Sequence, residues 1–142
     1  SFVGEAINVY SFEGNPEFVK FIEYQKESMG VENLKVILGN FDTTYSDFVT
    51  ANRNIDVIFI DGNHTEEATV RYFEWSLKIA HKDTIIIFDD IHWSPGMFSA
   101  WENIISTDSV KASIDMYIMG IVFLSDDFKE KRHLKIRPAK WS

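Results

Sequence analysis

The chain has 142 residues, 45% of them hydrophobic and 15% aromatic, which predicts one globular domain over residues 1–142 and excludes a disordered chain. Its formal net charge of −8 argues against nucleic acid and anionic lipid as partners and favours a small-molecule partner. The absence of cysteine excludes disulfide scaffolds and thiolate metal sites. Because no apolar run is long enough to cross a membrane and no leader precedes the first residues, the sequence predicts a cytoplasmic protein.

Four short apolar segments are typical of strands that are covered on both faces of a parallel sheet. They are residues 6–12 (AINVYSF), 34–38 (LKVIL), 55–60 (IDVIFI) and 84–88 (TIIIF). Helix signals lie between them. Asn15 can cap a helix that Gly30 ends, and Thr65 can cap a later one. A further helix is predicted over residues 97–106.

After Val110 the pattern changes, because "SIDMYIMGIVFLS" reads as two strands that meet near Gly120, either as a hairpin or as a bulged edge pair. Alternating strands and helices followed by this pair predict an α/β fold. We expect a Rossmann-like three-layer sandwich with a mainly parallel sheet and a C-terminal antiparallel strand pair. Basic residues crowd the tail and predict a solvated edge there: Lys129, Lys131, Arg132, Lys135, Arg137 and Lys140.

Polar residues stand at the end of each predicted strand. They are Glu13, then Gly39-Asn40, then Asp61-Gly62, then Asp89-Asp90. A single acid at such a position commonly ends a strand or caps a helix. The carboxyl ends of parallel strands, however, line the ligand crevice of an open α/β sheet. The whole set, in phase with the strands, therefore predicts a binding site at that edge.

Five motifs in a fixed order carry a family resemblance: "VYSFEGNPE", "VILGNF", "IDVIFIDGNH", "IIIFDDIHW" and "MYIMGIVFL". From about Asn8 to Arg137, the chain resembles the class I S-adenosylmethionine-dependent methyltransferases, and in particular their small-molecule O-methyltransferase-like branch. The resemblance implies that the motifs are the second to fifth strands and the terminal antiparallel pair. It also implies transfer of a methyl group from S-adenosylmethionine to a hydroxyl of a small molecule.

The resemblance assigns cofactor-binding residues by position. Glu13 matches the acid that accepts hydrogen bonds from the two ribose hydroxyls, since a carboxylate offers two acceptor oxygens. Asn40 and Phe41 match the positions that contact adenine. Asp61 matches the position where the methionine end of the cofactor meets the acceptor. Gly14 follows Glu13 and Gly62 follows Asp61, and both glycines are assigned to the cofactor site.

The same resemblance predicts the chemistry of the acceptor side. In metal-dependent relatives, acids after the fourth and fifth strands bind a divalent ion, so Asp61, Asp89 and Asp90 are the candidate ligands of Mg²⁺ or Mn²⁺. The alternative is a site that works without a metal, as in relatives with a similar acidic pair. The metal would lower the pKa of an acceptor hydroxyl. His64 or His92 would take the proton, with Asp61 as a further catalytic residue. A structural role is the alternative for both histidines. His64 would orient a turn, and His92 would simply stand at the beginning of the loop "IHWSPGM".

One family feature is missing at the front of the chain. The family's first strand ends in a glycine-rich loop that lets the cofactor approach the backbone closely, whereas Gly4 and Gly14 are isolated here. Residues 1–8 are typical of a helix end that runs into the second strand. The resemblance implies the strand order 3-2-1-4-5-7-6, in which the first strand is central. We therefore expect a chain that is truncated at its N-terminus, with this strand absent. A vacant central slot favours a homodimer or another segment that fills it.

Three other functions compete with this interpretation. Gly62-Asn63-His64 is similar to an element of metallophosphoesterases, but the other metal-binding motifs of that class are absent from the sequence. A non-catalytic Rossmann-like module accounts for the missing glycine loop. Dinucleotide-dependent oxidoreductases also carry an acid after the second strand, but they need the glycine loop and lack the terminal strand pair.

Overall fold

The structure is a computed structural model that describes residues 7–136. The helix end expected over residues 1–8 therefore lies almost entirely outside the described residues, as do Arg137 and Lys140 of the basic tail. The chain divides into two compact units, an N-terminal unit (Ser1–Ala51) and a C-terminal unit (Asn52–Ser142). The single domain expected over residues 1–142 stays a prediction.

The N-terminal unit contains a two-stranded parallel sheet and two helices. Its elements are β1 (Val9–Glu13), α1 (Pro16–Met29), β2 (Leu34–Leu38) and α2 (Phe41–Ala51). The register runs from Val9 opposite Leu34 to Glu13 opposite Leu38. The carboxyl ends of both strands consequently lie at the same edge of this sheet.

Local sequence signals set the ends of α1 as predicted. The side chain of Asn15 accepts a hydrogen bond from the Glu17 N–H at 2.9 Å, which satisfies one of the free donors of the first turn. Gly30 ends the helix in the left-handed conformation, with φ of 64°, and its N–H donates to the Glu27 carbonyl. Glycine adopts this conformation without a steric penalty, so the stop is encoded in the sequence.

The C-terminal unit contains a five-stranded mixed sheet and two helices. Its elements are β3 (Ile55–Ile60), α3 (Glu66–Ile79), β4 (Ala80–Phe88), α4 (Pro95–Ser106), β5 (Ala112–Asp115), β6 (Gly120–Phe123) and β7 (Arg132–Lys135). The strand order is β3-β4-β6-β5-β7. β3 and β4 are parallel, and β6 is antiparallel to both β4 and β5. The carboxyl ends of β3, β4 and β5 therefore share one edge.

This topology confirms the predicted α/β class and the C-terminal antiparallel pair, which forms a hairpin. β6 is inserted between β4 and β5, as the resemblance implies for the last two strands. In the described residues β1 and β3 each have a strand neighbour on one side only. These are the two strands that the family places beside its first strand.

β7 was not predicted. It pairs in parallel with β5, and the Ser113 hydroxyl lies 2.7 Å from His133 Nδ1 across the pair. All four residues of β7 are exposed. The other strands were predicted from their pattern of apolar residues. An edge strand with no buried face does not need such a pattern. The predicted solvated edge is correct for this segment, but its backbone is part of the sheet.

β4 begins at Ala80 rather than at Thr84. Ala80 pairs with Ile55 and Ile85 with Val57, so the residues between them form a bulge in β4. The buried Thr84 hydroxyl closes this bulge, because it donates to the Ile55 carbonyl at 2.7 Å and accepts from the His81 N–H at 2.8 Å. A threonine hydroxyl can do both. The polar residues of the bulge masked the first half of the strand in the sequence pattern.

The helices α3 and α4 cover one face of the five-stranded sheet. Phe88 of β4 packs against Phe73 of α3 and Trp101 of α4, each with a ring-centroid distance of 6.1 Å. On the opposite face Val57 and Phe59 of β3 keep 57% and 54% of their surface exposed. Across residues 7–136, no helix has the length and apolar character that crossing a membrane requires.

Candidate functional site

The edge of the N-terminal unit carries two of the polar side chains that are predicted to bind the cofactor. Glu13 ends β1, and its Oε1 accepts a hydrogen bond from the Asn15 N–H at 2.7 Å. Within the described residues, no group bonds to the other carboxylate oxygen, Oε2. Asn40 follows β2 and begins α2, because its Oδ1 accepts from the Asp42 N–H at 2.8 Å. The exposed amide nitrogen of Asn40 is a donor at the same edge.

Glycine is required at the turn between β2 and α2. Gly39 has φ of 152°, and a Cβ built there would lie 2.6 Å from the Thr44 Cγ2. Its N–H donates to the carbonyl of Glu13 at 3.0 Å. The backbone of Gly39 therefore draws the ends of β1 and β2 together, and the predicted Gly14 lies beside it, with 3.7 Å between a built Cβ and the Gly39 oxygen.

At the edge of the C-terminal unit, three residues with different predicted roles lie together. His64 Nε2 is 3.3 Å from Asp61 Oδ1 and 3.8 Å from Asp90 Oδ2. This nitrogen is shielded from solvent and has no hydrogen-bond partner with acceptable geometry among the described residues. The loops after β3 and β4 therefore bring a histidine against two carboxylates.

The backbone at these two strand ends is distorted. Asn63 and Asp90 have φ of 49° and 54°, in the left-handed region. Asparagine and aspartate tolerate this region better than other non-glycine residues, although it still carries a cost. Strained backbone of this kind concentrates at functional sites. Asp89, by contrast, continues the sheet, since its N–H donates to the Ile60 carbonyl at 3.0 Å.

A second group lies further along the same edge and includes a residue that sequence analysis missed. His92 Nε2 lies 3.1 Å and 3.0 Å from the two carboxylate oxygens of Asp115. Asp115 ends β5, and its side chain is only 8% exposed. Its Oδ1 also accepts from the Tyr117 N–H at 2.9 Å. One buried carboxylate thus fixes both an imidazole and the turn of the hairpin.

Tyr117 has an unusual conformation for an aromatic residue. Its φ is 74°, which a bulky side chain rarely adopts. The residue is 59% exposed, and its ring stacks on the His92 ring with a centroid distance of 5.0 Å and an interplanar angle of 10°. Phe98 of α4 lies on the same imidazole, 5.1 Å away. A cavity of about 320 Å³ is lined by these residues: His92, Phe98, Asp115, Tyr117, Lys135 and Ile136.

Comparison with known families decides which family the chain belongs to. A family model described as a methyltransferase domain matches residues 4–91, which is more than half of the 142 residues. The chain belongs to this methyltransferase domain family. A comparison with curated proteins gave no match.

Solved structures confirm the Rossmann-like fold of the methyltransferase domain. The SAH-bound methyltransferase PaMTH1 of Podospora anserina has a TM-score of 0.70 at 14% identity, covering 85% of this chain and 62% of its own. The O-methyltransferase of Bacillus cereus, in complex with SAH, has a TM-score of 0.70 at 18% identity, covering 84% and 64%. TomG of Streptomyces achromogenes, an O-methyltransferase in complex with SAM, has a TM-score of 0.67 at 15% identity, covering 83% and 62%.

The domain thus spans less than two thirds of the length of these three structures. At such identities the likeness shows the fold alone. The roles assigned to individual residues stay predictions, but the structure places these residues in two groups. Glu13, Gly14 and Asn40 meet at the edge of the N-terminal unit, next to Phe41 at the start of α2. Asp61, His64 and Asp90 meet in the C-terminal unit.

The predicted metal ligands do not form a closed set. Among residues 7–136 there is no group of three or more histidine, aspartate or glutamate side chains that could hold a metal ion. In place of three carboxylates, the methyltransferase domain brings His64 against Asp61 and Asp90, while Asp89 is held by its backbone. The described arrangement therefore does not fit the Mg²⁺ or Mn²⁺ site expected from Asp61, Asp89 and Asp90.

Asp115 makes the stability of the domain depend on pH. Burial alone would raise the pKa of this carboxyl above its ordinary 3.8, but the hydrogen bonds from His92 and the Tyr117 N–H, with the charges of His92 and Lys135, together lower it. A carboxyl whose pKa is lower in the folded state stabilises the fold above its unfolded pKa, and this contribution is lost as pH falls through the folded pKa.

We therefore expect Asp115→Asn to lower the free energy of unfolding by about 1–3 kcal/mol at neutral pH. Since the contribution of the carboxylate disappears on protonation, the difference between the two proteins should shrink below about pH 4. Urea unfolding of both proteins between pH 3 and pH 7 measures it. A difference that stays constant over this range would mean that the charge of Asp115 contributes nothing.

Proposed function

We propose that this chain is the larger part of an S-adenosylmethionine-dependent methyltransferase that acts on a hydroxyl of a small molecule. The observation that carries the proposal is the strand order β3-β4-β6-β5, with β6 antiparallel and an acid at the carboxyl end of β3, β4 and β5. Membership of the methyltransferase domain family supports the reaction type. O-Methyltransferases among the solved structures of the same fold support a hydroxyl acceptor.

The residues at the edge of the N-terminal unit fit the adenosine part of the cofactor. Glu13 has one oxygen bonded to the Asn15 N–H and keeps Oε2 for the ribose hydroxyls, which are donors that a carboxylate binds well. The Asn40 amide donates to adenine, with Phe41 beside it. Asp61 and Gly62 are assigned to the methionine end. When bound, S-adenosylmethionine supplies a methyl group on a positively charged sulfur.

The protein's own part of the chemistry is to take a proton from the acceptor. A hydroxyl is a weak nucleophile until it loses its proton, and a histidine is suited to accept it at neutral pH. Two histidines are candidates. His64 presents a shielded Nε2 to Asp61 and Asp90, and His92 is fixed by Asp115. No step is assigned to a metal ion.

Neither hydrolysis nor oxidoreduction is favoured by a contact in the described residues. The family match covers Gly62, Asn63 and His64 as part of the methyltransferase domain, so their likeness to metallophosphoesterases has no further support. A non-catalytic module stays the competing proposal. Cytoplasmic location and a homodimer also stay predictions.

Titration calorimetry with S-adenosylhomocysteine tests the proposal on the chain itself. We expect saturable binding, accompanied by a rise in the melting temperature as the ligand concentration exceeds its dissociation constant. Adenosine alone should bind more weakly, because it lacks the amino-acid portion. If the folded chain gives neither heat nor a thermal shift, the non-catalytic module becomes the better proposal.

A further inference from the structure

We propose that Asp115 holds His92 in the tautomer that leaves Nδ1 free to take the acceptor's proton, and that the cavity beside them binds the acceptor by a planar apolar ring. This inference rests on the proposed methyltransferase function and names its acceptor site. Among the two candidate bases, it selects His92. Asp115 is a positioning residue.

The tautomer follows from the contacts of one nitrogen. His92 Nε2 lies within hydrogen-bond distance of both oxygens of Asp115, and an ionised carboxylate only accepts hydrogen bonds. Nε2 must therefore carry a hydrogen. In the neutral ring the lone pair then belongs to Nδ1, for which residues 7–136 provide no hydrogen-bond partner. Nδ1 is the atom that can accept a proton.

Burial of the carboxylate distinguishes this pair from another histidine–aspartate pair in the chain. His81 Nε2 lies 3.0 Å from Asp56 Oδ1, but the Asp56 side chain is 89% exposed. Asp115 is 8% exposed and is also bonded to the Tyr117 N–H. Its lowered pKa keeps it ionised. The His81 ring is also held at Nδ1, by the Asp83 N–H at 3.2 Å. His92 therefore differs in having a buried carboxylate partner and, among residues 7–136, no partner at Nδ1.

The walls of the cavity indicate the kind of acceptor. Tyr117 and Phe98 pack on the His92 ring and still expose 59% and 40% of their surfaces. Aromatic faces bind planar rings by offset stacking. The left-handed backbone conformation of Tyr117 is energetically unfavourable, and it accompanies the exposed position of this ring. Lys135, half-exposed and 3.6 Å from Glu102, adds a cation that favours a developing negative oxygen. A ring that carries a hydroxyl fits these features.

The step balances with the groups named. The hydroxyl proton of the acceptor passes to His92 Nδ1, and the oxygen forms a bond to the methyl carbon. The carbon–sulfur bond breaks with its electron pair left on sulfur, which becomes a neutral thioether. His92, now positively charged between Asp115 and the product, then returns its proton to solvent.

Nitrogen-15 NMR of the histidine rings tests the role of Asp115. The His92 signals are those that disappear in His92→Gln. At a pH where the rings are neutral, we expect them to show the Nε2–H tautomer. In Asp115→Asn this preference should be lost, because an amide can donate as well as accept. His81→Gln serves as a control for assignment. A wild-type His92 protonated on Nδ1 would overturn the proposal.

The cavity is tested with 4-nitrophenol, whose phenolate is coloured. Below the probe's own pKa, binding to the wild-type chain should increase the phenolate absorbance, because Nδ1 takes its proton. His92→Gln should abolish the colour change and weaken binding about tenfold or more. His81→Gln should behave like the wild type.

Tyr117 offers a variant that removes the ring without disturbing the turn. Glycine is favoured at φ of 74°, so Tyr117→Gly should fold and yet bind the probe at least about fivefold more weakly, in line with loss of an aromatic contact. Tyr117→Phe should retain binding. Unchanged affinity in Tyr117→Gly, or colour that persists in His92→Gln, would contradict the assignment of this cavity.

The acceptor site and the methyltransferase function can be contradicted separately. If S-adenosylhomocysteine binds but the probe is neither bound nor ionised, the acceptor site is wrong and the methyltransferase proposal stands. If the probe is ionised by His92 but S-adenosylhomocysteine does not bind, the cavity exists and the proposed function of this chain is wrong.

Discussion

Trp101→Ala is expected to lower the free energy of unfolding by about 3–5 kcal/mol, as is usual for removal of a buried tryptophan. Trp101 is 1% exposed and lies on α4, where its ring meets Phe88 edge to face. It joins the helix layer to the centre of the five-stranded sheet. Urea unfolding, followed by circular dichroism, measures the loss.

The packing of Trp101 against Gly120 makes this prediction sharper. A Cβ at Gly120 would lie 2.6 Å from two atoms of the indole ring, so Gly120→Ala should itself destabilise the wild-type protein by about 1–3 kcal/mol. In the Trp101→Ala background the same methyl group enters the space that the ring has left. There we expect Gly120→Ala to be neutral or stabilising, which is a coupling between neighbouring sites.

Gly96→Ala is the matched control. Gly96 lies in the first turn of α4, and a Cβ there would be 3.6 Å from its nearest neighbour, an ordinary contact. Alanine in place of glycine within a helix is expected to be neutral or to stabilise by up to about 1 kcal/mol. Additive effects of Trp101→Ala and Gly120→Ala would show that the two residues do not contact each other as described.

Glu13→Ala should weaken the binding of S-adenosylhomocysteine about tenfold to a hundredfold, the range expected when hydrogen bonds to a charged group are removed. The free Oε2 at the end of β1 is the reason for this expectation. Glu13→Gln should lose part of the affinity, since the amide keeps one acceptor but not the charge. Titration calorimetry on the three proteins gives the dissociation constants.

A second glutamate in the same unit separates this effect from a general loss of charge. Glu17 lies in the first turn of α1 and forms an exposed pair with Lys20 at 2.8 Å. Glu17→Ala removes one carboxylate but no predicted cofactor contact, so affinity should stay within about twofold of the wild type. An equal loss in Glu17→Ala and Glu13→Ala would sink the assignment of Glu13.

The sequence predicted those elements whose burial or caps leave a regular pattern. β2 and β3 have the predicted bounds, and α1 and α3 begin after the predicted caps Asn15 and Thr65. β7 and the first half of β4 escaped prediction. The first is wholly exposed, and the second contains a polar bulge closed by a side chain, so neither shows the apolar periodicity on which the reasoning depended.

The predicted site residues do lie at strand ends, but their roles stay predictions, and one of their partners was not foreseen. His64 and His92 were both singled out, and the fold places both at the carboxyl edge of the C-terminal unit. Asp115 was missed, although it ends an apolar strand in an acid, as Asp61 and Asp89 do. Its significance depends on β5 running parallel to β4 two places away in the sheet. That relation follows from the insertion of β6, which no local pattern encodes.

The double use of the Asp115 carboxylate has a consequence for how this part of the protein can evolve. One side chain fixes the His92 ring and the backbone of Tyr117, so a substitution at position 115 disturbs both the loop after β4 and the turn after β5. Drift at any one of the three positions is therefore opposed by the other two. Among descendants of a common ancestor, we expect the aspartate, the histidine and the aromatic residue to be inherited together or replaced together.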